Sequence, residues 1–351
     1  MSWIHELARP DIVALKPYEH AAWEPDLERL HANELPWRAA QDPTAAGLNR
    51  YPEPQPRALI QRLAQLYEVA PETVLVGRGS DEAIDLLTRA FCRAGEDSVL
   101  VCPPTFGMYS VCARIQGAQV VNVPLAAARG FALDPQALLE QCTAGVKLLF
   151  LCSPNNPTGN LLDEALILRL ARTLAGRALV VVDEAYLEFA GRASLARHLG
   201  ELPNLAILRT LSKAYGLAGA RCGTLIADPG VIALLRKIIP PYAIPQLTLE
   251  AVLRALTPEA LAASQSQLAL LLAQRERLLE RLPGLACVTR VWPSDANFVL
   301  AEFDDAGAAL ARGRQAHLLV RDARGYLGLS RALRITVGTP EQNERLLEAW
   351  S

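Results

Sequence analysis

No stretch of eighteen consecutive apolar residues occurs in these 351 residues, so no membrane-crossing helix is expected. Residues 1–11 carry His5, Glu6, Arg9 and Asp11 where an export signal would need an apolar core, and a cytoplasmic enzyme is the expectation. A basic tract and an acidic tail are both missing. The 35 Lys and Arg nearly balance the 37 Asp and Glu, so nucleic acid is not the expected partner. The seven cysteines form no Cys-x-x-Cys pair and the five histidines are scattered, which suits reduced, buried thiols and no metal. A Gly-x-x-x-x-Gly-Lys-Ser/Thr loop is absent as well, which removes a P-loop ATPase. There is no internal repeat and no low-complexity segment. What remains, 51% hydrophobic and 21% charged, is the composition of a globular enzyme with a large core, for which small-molecule substrates are the expected partners.

The pattern along the chain divides it into three. Residues 1–42 are rich in Pro, Trp and short polar turns, with little periodicity, and read as an N-terminal arm that must lie on something else. Residues 43–245 alternate helical stretches with short apolar runs rich in β-branched residues. The runs are Thr73–Val76, Ser98–Val101, Gln119–Val123, Lys147–Cys152, Ala178–Val182, Leu205–Leu208 and Gly223–Ala227. Amphipathic segments such as Asp81–Cys92 and Asp163–Leu174 are long enough for crossover helices, so a mostly parallel seven-stranded α/β sheet with helices on both faces is predicted. After Ile239-Pro-Pro-Tyr242 a long helical pattern runs from about Leu247 to Leu282, interrupted at Thr257-Pro258. Short strands at Val288–Trp292, Asn297–Ala301 and Leu333–Val337, with helices at Ala306–Arg312 and Glu341–Trp350, make residues 246–351 a smaller α+β domain.

Five strings follow apolar strands, where open α/β sheets place their ligands. In Arg209-Thr-Leu-Ser-Lys213 the hydroxyls of Thr210 and Ser212 flank a lysine, and Arg221 follows beyond two glycines. A Ser-Lys pair alone is usually a solvated loop. Hydroxyls together with a permanently charged guanidinium fork suit a phosphate, and a lysine amine beside another cation can have the lowered pKa that imine chemistry needs. Val180-Val-Val-Asp183-Glu-Ala-Tyr186 ends a strand in an acid followed by a phenol; the bland account is a helix cap. Ser153-Pro-Asn-Asn156-Pro-Thr-Gly159 is rich in turn formers and could be only a tight loop, though its position at a strand end argues for more. Val76-Gly-Arg-Gly79-Ser80-Asp81 is a glycine turn into a helix whose free amides can bind an anion. Phe106, in Cys102-Pro-Pro-Thr-Phe106-Gly-Met-Tyr109, is either a core aromatic or a plate for a flat ring.

Taken in order, these strings, with Asn49-Arg-Tyr51-Pro and Leu333-Arg-Ile-Thr-Val-Gly338, resemble the fold-type I pyridoxal-phosphate-dependent aminotransferases over nearly the whole chain. The Pro-Pro-Thr-Phe-Gly-Met-Tyr string, Pro17-Tyr18 and the Val320-Arg321-Asp322 to Arg334 segment point to the histidinol-phosphate branch of that family. The resemblance implies an aspartate aminotransferase-like fold and pyridoxal 5'-phosphate as cofactor. Lys213 would bind the cofactor aldehyde, Asp183 would pair with the pyridine nitrogen, and Tyr186 and Asn156 would bind the ring hydroxyl oxygen. Phe106 would stack on the ring, although relatives often carry Tyr there and a phenol hydrogen bond would be lost. Gly79, Ser80, Asp81, Thr210, Ser212 and Arg221 would hold the cofactor phosphate, joined by Tyr51 from the other subunit of a homodimer with shared active sites. Arg334 would take the substrate carboxylate, with Arg321, Tyr18 and Tyr109 around the rest of the substrate. The implied substrates are histidinol phosphate and imidazole-acetol phosphate, exchanging an amino group with glutamate and 2-oxoglutarate. An aromatic amino-acid transaminase, a phospho-amino-acid decarboxylase of the same fold and a non-catalytic cofactor sensor are the alternatives.

Overall fold

The computed structural model describes residues 3–24 and 27–351. Seven strands form the larger sheet: β1 (Val74–Gly77), β2 (Ser98–Val101), β3 (Gln119–Asn122), β4 (Val146–Cys152), β5 (Leu179–Asp183), β6 (Leu205–Thr210) and β7 (Gly223–Ala227). Their spatial order is β1-β7-β6-β5-β4-β2-β3. Only β7 runs against its neighbours; it pairs antiparallel with both β1 and β6, so the sheet is mixed but mostly parallel, as the apolar runs predict. The reversal matters for the site. It brings the amino end of β7, just after Arg221, to the same edge as the carboxyl ends of β1, β4, β5 and β6.

Except for the partly exposed edge strand β3, the strands read as near-continuous apolar runs because both faces are covered. Leu149, Leu151, Val180, Val182, Leu205 and Ile207 face one core. Their neighbours Leu148, Phe150, Leu179, Val181, Ala206 and Leu208 face the other. Two short helices, α1 (Trp3–Leu7) and α2 (Pro10–Ala14), open the chain, and Ile4 and Leu7 are buried in the second core. The arm is therefore anchored at its start by ordinary apolar burial. Helices α3 (Arg57–Tyr67), α4 (Ser80–Phe91), α5 (Met108–Gln116), α6 (Pro135–Gln141), α7 (Glu164–Thr173) and α8 (Pro229–Arg236) cover the sheet. Each follows helical spacing: α3 buries Leu59, Ile60, Leu63, Ala64 and Tyr67, and α4 buries Ile84, Leu87 and Phe91.

The interrupted helical pattern is two helices, α9 (Gln246–Ala255) and α10 (Pro258–Arg281), with Thr257 capping the second through the amide of Ala260. The first of them, expected in the smaller unit, packs on α3 and buries Val252 in the core of the large sheet. Four strands, β8 (Val288–Val291), β9 (Phe298–Phe303), β10 (Arg321–Asp322) and β11 (Ala332–Thr336), make an antiparallel sheet in the order β10-β11-β9-β8. Helices α11 (Ala306–Gln315) and α12 (Pro340–Trp350) close it. Leu333 and Ile335 of β11 point into that core with Phe303 and Trp350, so the alternation of a strand turns Arg334 to the opposite face, toward the large sheet.

Candidate active site

One cavity of about 110 Å³ opens at the edge where the strand ends meet, lined by Gly79, Ser80, Asp81, Phe106, Cys152, Asn156, Asp183, Ala185, Tyr186, Thr210, Ser212, Lys213 and Arg221. Eleven of these thirteen were singled out from the sequence. The other two, Cys152 and Ala185, flank strand ends already identified, and position along the strand was the only signal for them. A larger cavity of about 590 Å³, walled in part by Arg129, Asp163 and Arg192, gathers none of the eleven.

At the rim, Gly79 has φ +87°, a conformation open to glycine, and begins the twelve-residue helix α4. A Cβ there would lie 2.6 Å from Arg221 Nη2, and a Cβ on Gly223 would lie 2.2 Å from the backbone of Gly79 and Ser80. The two glycines thus let β7 press against the helix start. They leave the first amides of α4 and the Arg221 guanidinium around one space. Asp81 Oδ2 accepts from Arg221 at 3.4 Å and the Arg78 carbonyl accepts at 3.5 Å, which fixes the guanidinium in place. Thr210 Oγ1 accepts from the amide of Ser212, tightening the turn into Lys213. A helix N-terminus, a guanidinium and hydroxyls together form an oxyanion cradle.

At the floor, Asp183 is buried. Its Oδ1 accepts from the amide of Ala185 at 3.1 Å and its Oδ2 from Tyr109 Oη at 2.7 Å. Burial raises the Asp183 carboxyl pKa to about 6, even though both hydrogen bonds pull it down. Lys213 Nζ lies 5.7 Å from the centre of the Tyr186 ring. Its pKa is lowered, first by partial loss of solvation and then by the positive charge of Arg334. Asn156 Nδ2 donates to Tyr186 Oη at 3.5 Å, and Arg334 Nη1 donates to Asn156 Oδ1. The guanidinium of Arg334 stands 5.2 Å from the Phe298 ring, and its buried Nε has no partner among the described residues. Directly across the strand pair from it lies the exposed Arg321. Two like charges opposite one another destabilise a sheet unless an anion comes between them.

Five expected residues do not line this cavity: Arg321 and Arg334, placed on the smaller sheet as just described, and Tyr18, Tyr51 and Tyr109. Tyr109 corrects the sequence reading: its side chain is fully buried on α5, stacked 4.8 Å from Phe150, and no substrate can touch it. The alternation of β5 accounts for this, because Asp183 points to the same face as Leu179 and Val181, where α5 packs. Tyr18 is 69% exposed against His20, and Tyr51 is half exposed and stacked 4.6 Å from Tyr242. His20 and Tyr242, 5.6 Å apart, complete an aromatic row that spacing could not reveal, since its members come from distant parts of the chain.

The pattern of the family described as aminotransferase class I and II matches residues 29–349. A histidinol-phosphate aminotransferase of Stenotrophomonas maltophilia is 49% identical, over 98% of this chain and 96% of that one. Among solved structures, the histidinol-phosphate aminotransferase of Sinorhizobium meliloti in complex with pyridoxal-5'-phosphate is similar with a TM-score of 0.74 and 27% identity, covering 86% of this chain and 82% of that one. The same enzyme from Clostridium acetobutylicum shares the fold with a TM-score of 0.79 at 21% identity, over 86% and 90% of the two chains.

Proposed function

The chain belongs to the class I and II aminotransferases and among them to the histidinol-phosphate aminotransferases, pyridoxal-phosphate enzymes, and we propose that it moves an amino group from glutamate to imidazole-acetol phosphate, giving 2-oxoglutarate and L-histidinol phosphate. The observation that carries this choice of substrate is the facing pair Arg321 and Arg334, a second set of cations distinct from Arg221 in the cradle. Glutamate brings a second carboxylate and histidinol phosphate brings a phosphate, so one pocket must receive two kinds of anion, and guanidinium forks bind both.

The residues present fit the cofactor. The close approach that Gly79 and Gly223 allow gathers the first α4 amides and the Arg221 guanidinium around one space that suits its phosphate, the buried Asp183 suits a cationic ring nitrogen, and Phe106 offers a ring face. When bound, pyridoxal phosphate supplies an electron-withdrawing ring that stabilises negative charge on the substrate carbon. Gly79, Ser80 and Asp81 hold the phosphate with backbone amides, and Thr210, Ser212 and Arg221 with side chains. Tyr186 and Asn156 hold the ring oxygen. Lys213 would bind the aldehyde carbon, and its neutral amine would take the proton from the substrate Cα. The lowered pKa enlarges that neutral fraction, and the order of events is ping-pong. Arg334 takes the substrate carboxylate, while Arg321 and Tyr18 lie toward the distal phosphate.

We further propose a homodimer in which Tyr51 reaches the partner's phosphate site. Support comes from the arm, where Leu27, Leu30, Leu35 and Trp37 are all more than 60% exposed. Among the described residues no helix is long and apolar enough to cross a membrane. Six of the seven thiols are buried and all are free, which suits work in the reducing cytoplasm.

A half-reaction test separates this from its rivals. The yellow enzyme is mixed with histidinol phosphate, phenylalanine, threonine phosphate or glutamate, and conversion to the pyridoxamine form is followed by absorbance. Fast conversion by histidinol phosphate and glutamate is expected. Conversion by phenylalanine and glutamate alone would make it an aromatic transaminase, and carbon dioxide release from threonine phosphate would make it a decarboxylase.

A further inference from the structure

We propose that Tyr109 is a positioning residue that holds the Asp183 carboxylate, through the hydrogen bond from its hydroxyl, in the place and charge state needed to pair with the ring nitrogen of the cofactor. The inference rests on the reading of Asp183 as the partner of that nitrogen. Three contacts give Tyr109 no freedom to do anything else. Its hydroxyl donates to Asp183 Oδ2 at 2.7 Å. Its ring lies nearly parallel to Phe150, 4.8 Å away and 5° from coplanar. The edge of the pair it makes with Phe106, at 5.6 Å and 82°, ties it to the aromatic that faces the cofactor ring. With no solvent exposure the hydroxyl cannot exchange its partner for water.

The need for such a donor follows from the site. A carboxylate this deeply buried is drawn toward its neutral form, and a neutral acid cannot pair with a ring cation. The charged form is favoured by donors, and Asp183 has two: the Ala185 amide and the Tyr109 hydroxyl. The amide belongs to the turn and is present for any side chain at 109. The hydroxyl is the part of the device that a single substitution removes.

Tyr109→Phe keeps the ring and its stacking and deletes only the donor. The measurement is equilibrium binding to cofactor-free protein, once with pyridoxal phosphate and once with the analogue carrying C–H in place of the ring nitrogen. Loss of a hydrogen bond to a charged group should weaken pyridoxal phosphate about ten-fold and the analogue less than about two-fold. Equal weakening of both ligands, or of neither, would overturn the proposal, because a merely structural role has no reason to sense the ring nitrogen. A wild-type protein that binds the two ligands equally would instead overturn the reading of Asp183 itself. If Tyr109→Phe does not fold, the double variant Tyr109→Phe with Asp183→Asn leaves no buried charge lacking a donor. Compared with Asp183→Asn alone, its pyridoxal phosphate affinity should differ by less than about two-fold, and a larger change sinks the idea.

Discussion

The seven-stranded sheet and the arm solve opposite problems. Every residue of β1, β2, β5, β6 and β7 is buried, and the groups at the strand ends, Asp183, Thr210 and the Gly79 turn, are fixed by contacts within one chain. The arm is staked down by charge. Glu34, its side chain only 3% exposed, pairs with both Arg29 and Arg50 and accepts from the amide of Tyr51. Yet beyond its buried start the apolar side chains of its second half point outward, Leu30 at 94% and Trp37 at 73% exposure. The lesson is that the groups of the cavity are preorganised within one chain, while Tyr51 and Tyr18, which the proposed homodimer would bring to it, sit exposed on the surface.

The largest expected effect falls on Lys213. Lys213→Ala should lower turnover by about 10³-fold or more and abolish the borohydride-reducible link to the cofactor, and near-normal turnover would refute its role. The same variant sharpens the comparison with the arm. If Tyr51 serves the partner's site, mixing inactive Lys213→Ala with a poorly active Tyr51→Ala protein builds hybrid dimers with one intact site each, so about a quarter of wild-type activity should return after exchange. No recovery in a mixture shown to have exchanged subunits would place Tyr51 at its own chain's site.

The sheet is best broken from behind. Arg209, on β6, donates to Glu184 at 3.0 Å and to Glu188 at 2.6 Å, with its guanidinium 4.9 Å from the centre of the Tyr67 ring and almost no exposure. Arg209→Ala leaves the buried Glu184 and the part-buried Glu188 without their cation, although Glu184 keeps donors in Ser194 and the Leu195 amide, and should cost about 3 kcal/mol in denaturant unfolding, whereas exposed arm pairs such as Lys16 with Glu19 should each cost under about 1 kcal/mol. Similar small losses at both places would mean that the strand ends are not held by this network.

The smallest expected effect concerns Asp183 in the cofactor-free protein. Its pKa is raised from 3.8 to about 6, so the carboxylate form is disfavoured by folding. That penalty is present in full above pH 6, and it disappears as the pH falls toward the unfolded value. Asp183→Asn should therefore stabilise the empty protein by about 2–3 kcal/mol near pH 8, with the gap closing between about pH 6 and pH 4. A gap that is flat with pH would show that the native carboxyl titrates normally.

Much of this was legible from the chain. The seven apolar runs became seven strands, with ends moved by a residue or so, because strands covered on both faces are apolar along most of their length, and only the edge strand β3 is left partly exposed. The strings at their ends converge for the same reason, since parallel strands present their carboxyl ends at one edge. The resemblance implies Tyr109 beside the substrate, whereas the structure buries it against Asp183, because nothing in its string says which face of the sheet its helix covers. The direction of β7 was equally hidden, although it is what delivers Arg221 to the cradle.

By itself, then, the sequence determined the elements, the edge where they meet and the chemical kind of each group there, because these follow from local periodicity and from what a strand end exposes. Tertiary structure alone decided the partners: Tyr109 beneath Asp183, Arg334 on Asn156 across the two sheets, and Tyr51 against Tyr242 instead of inside its own pocket. These contacts join residues 74, 178 and 191 positions apart, and only packing brings such distant groups together.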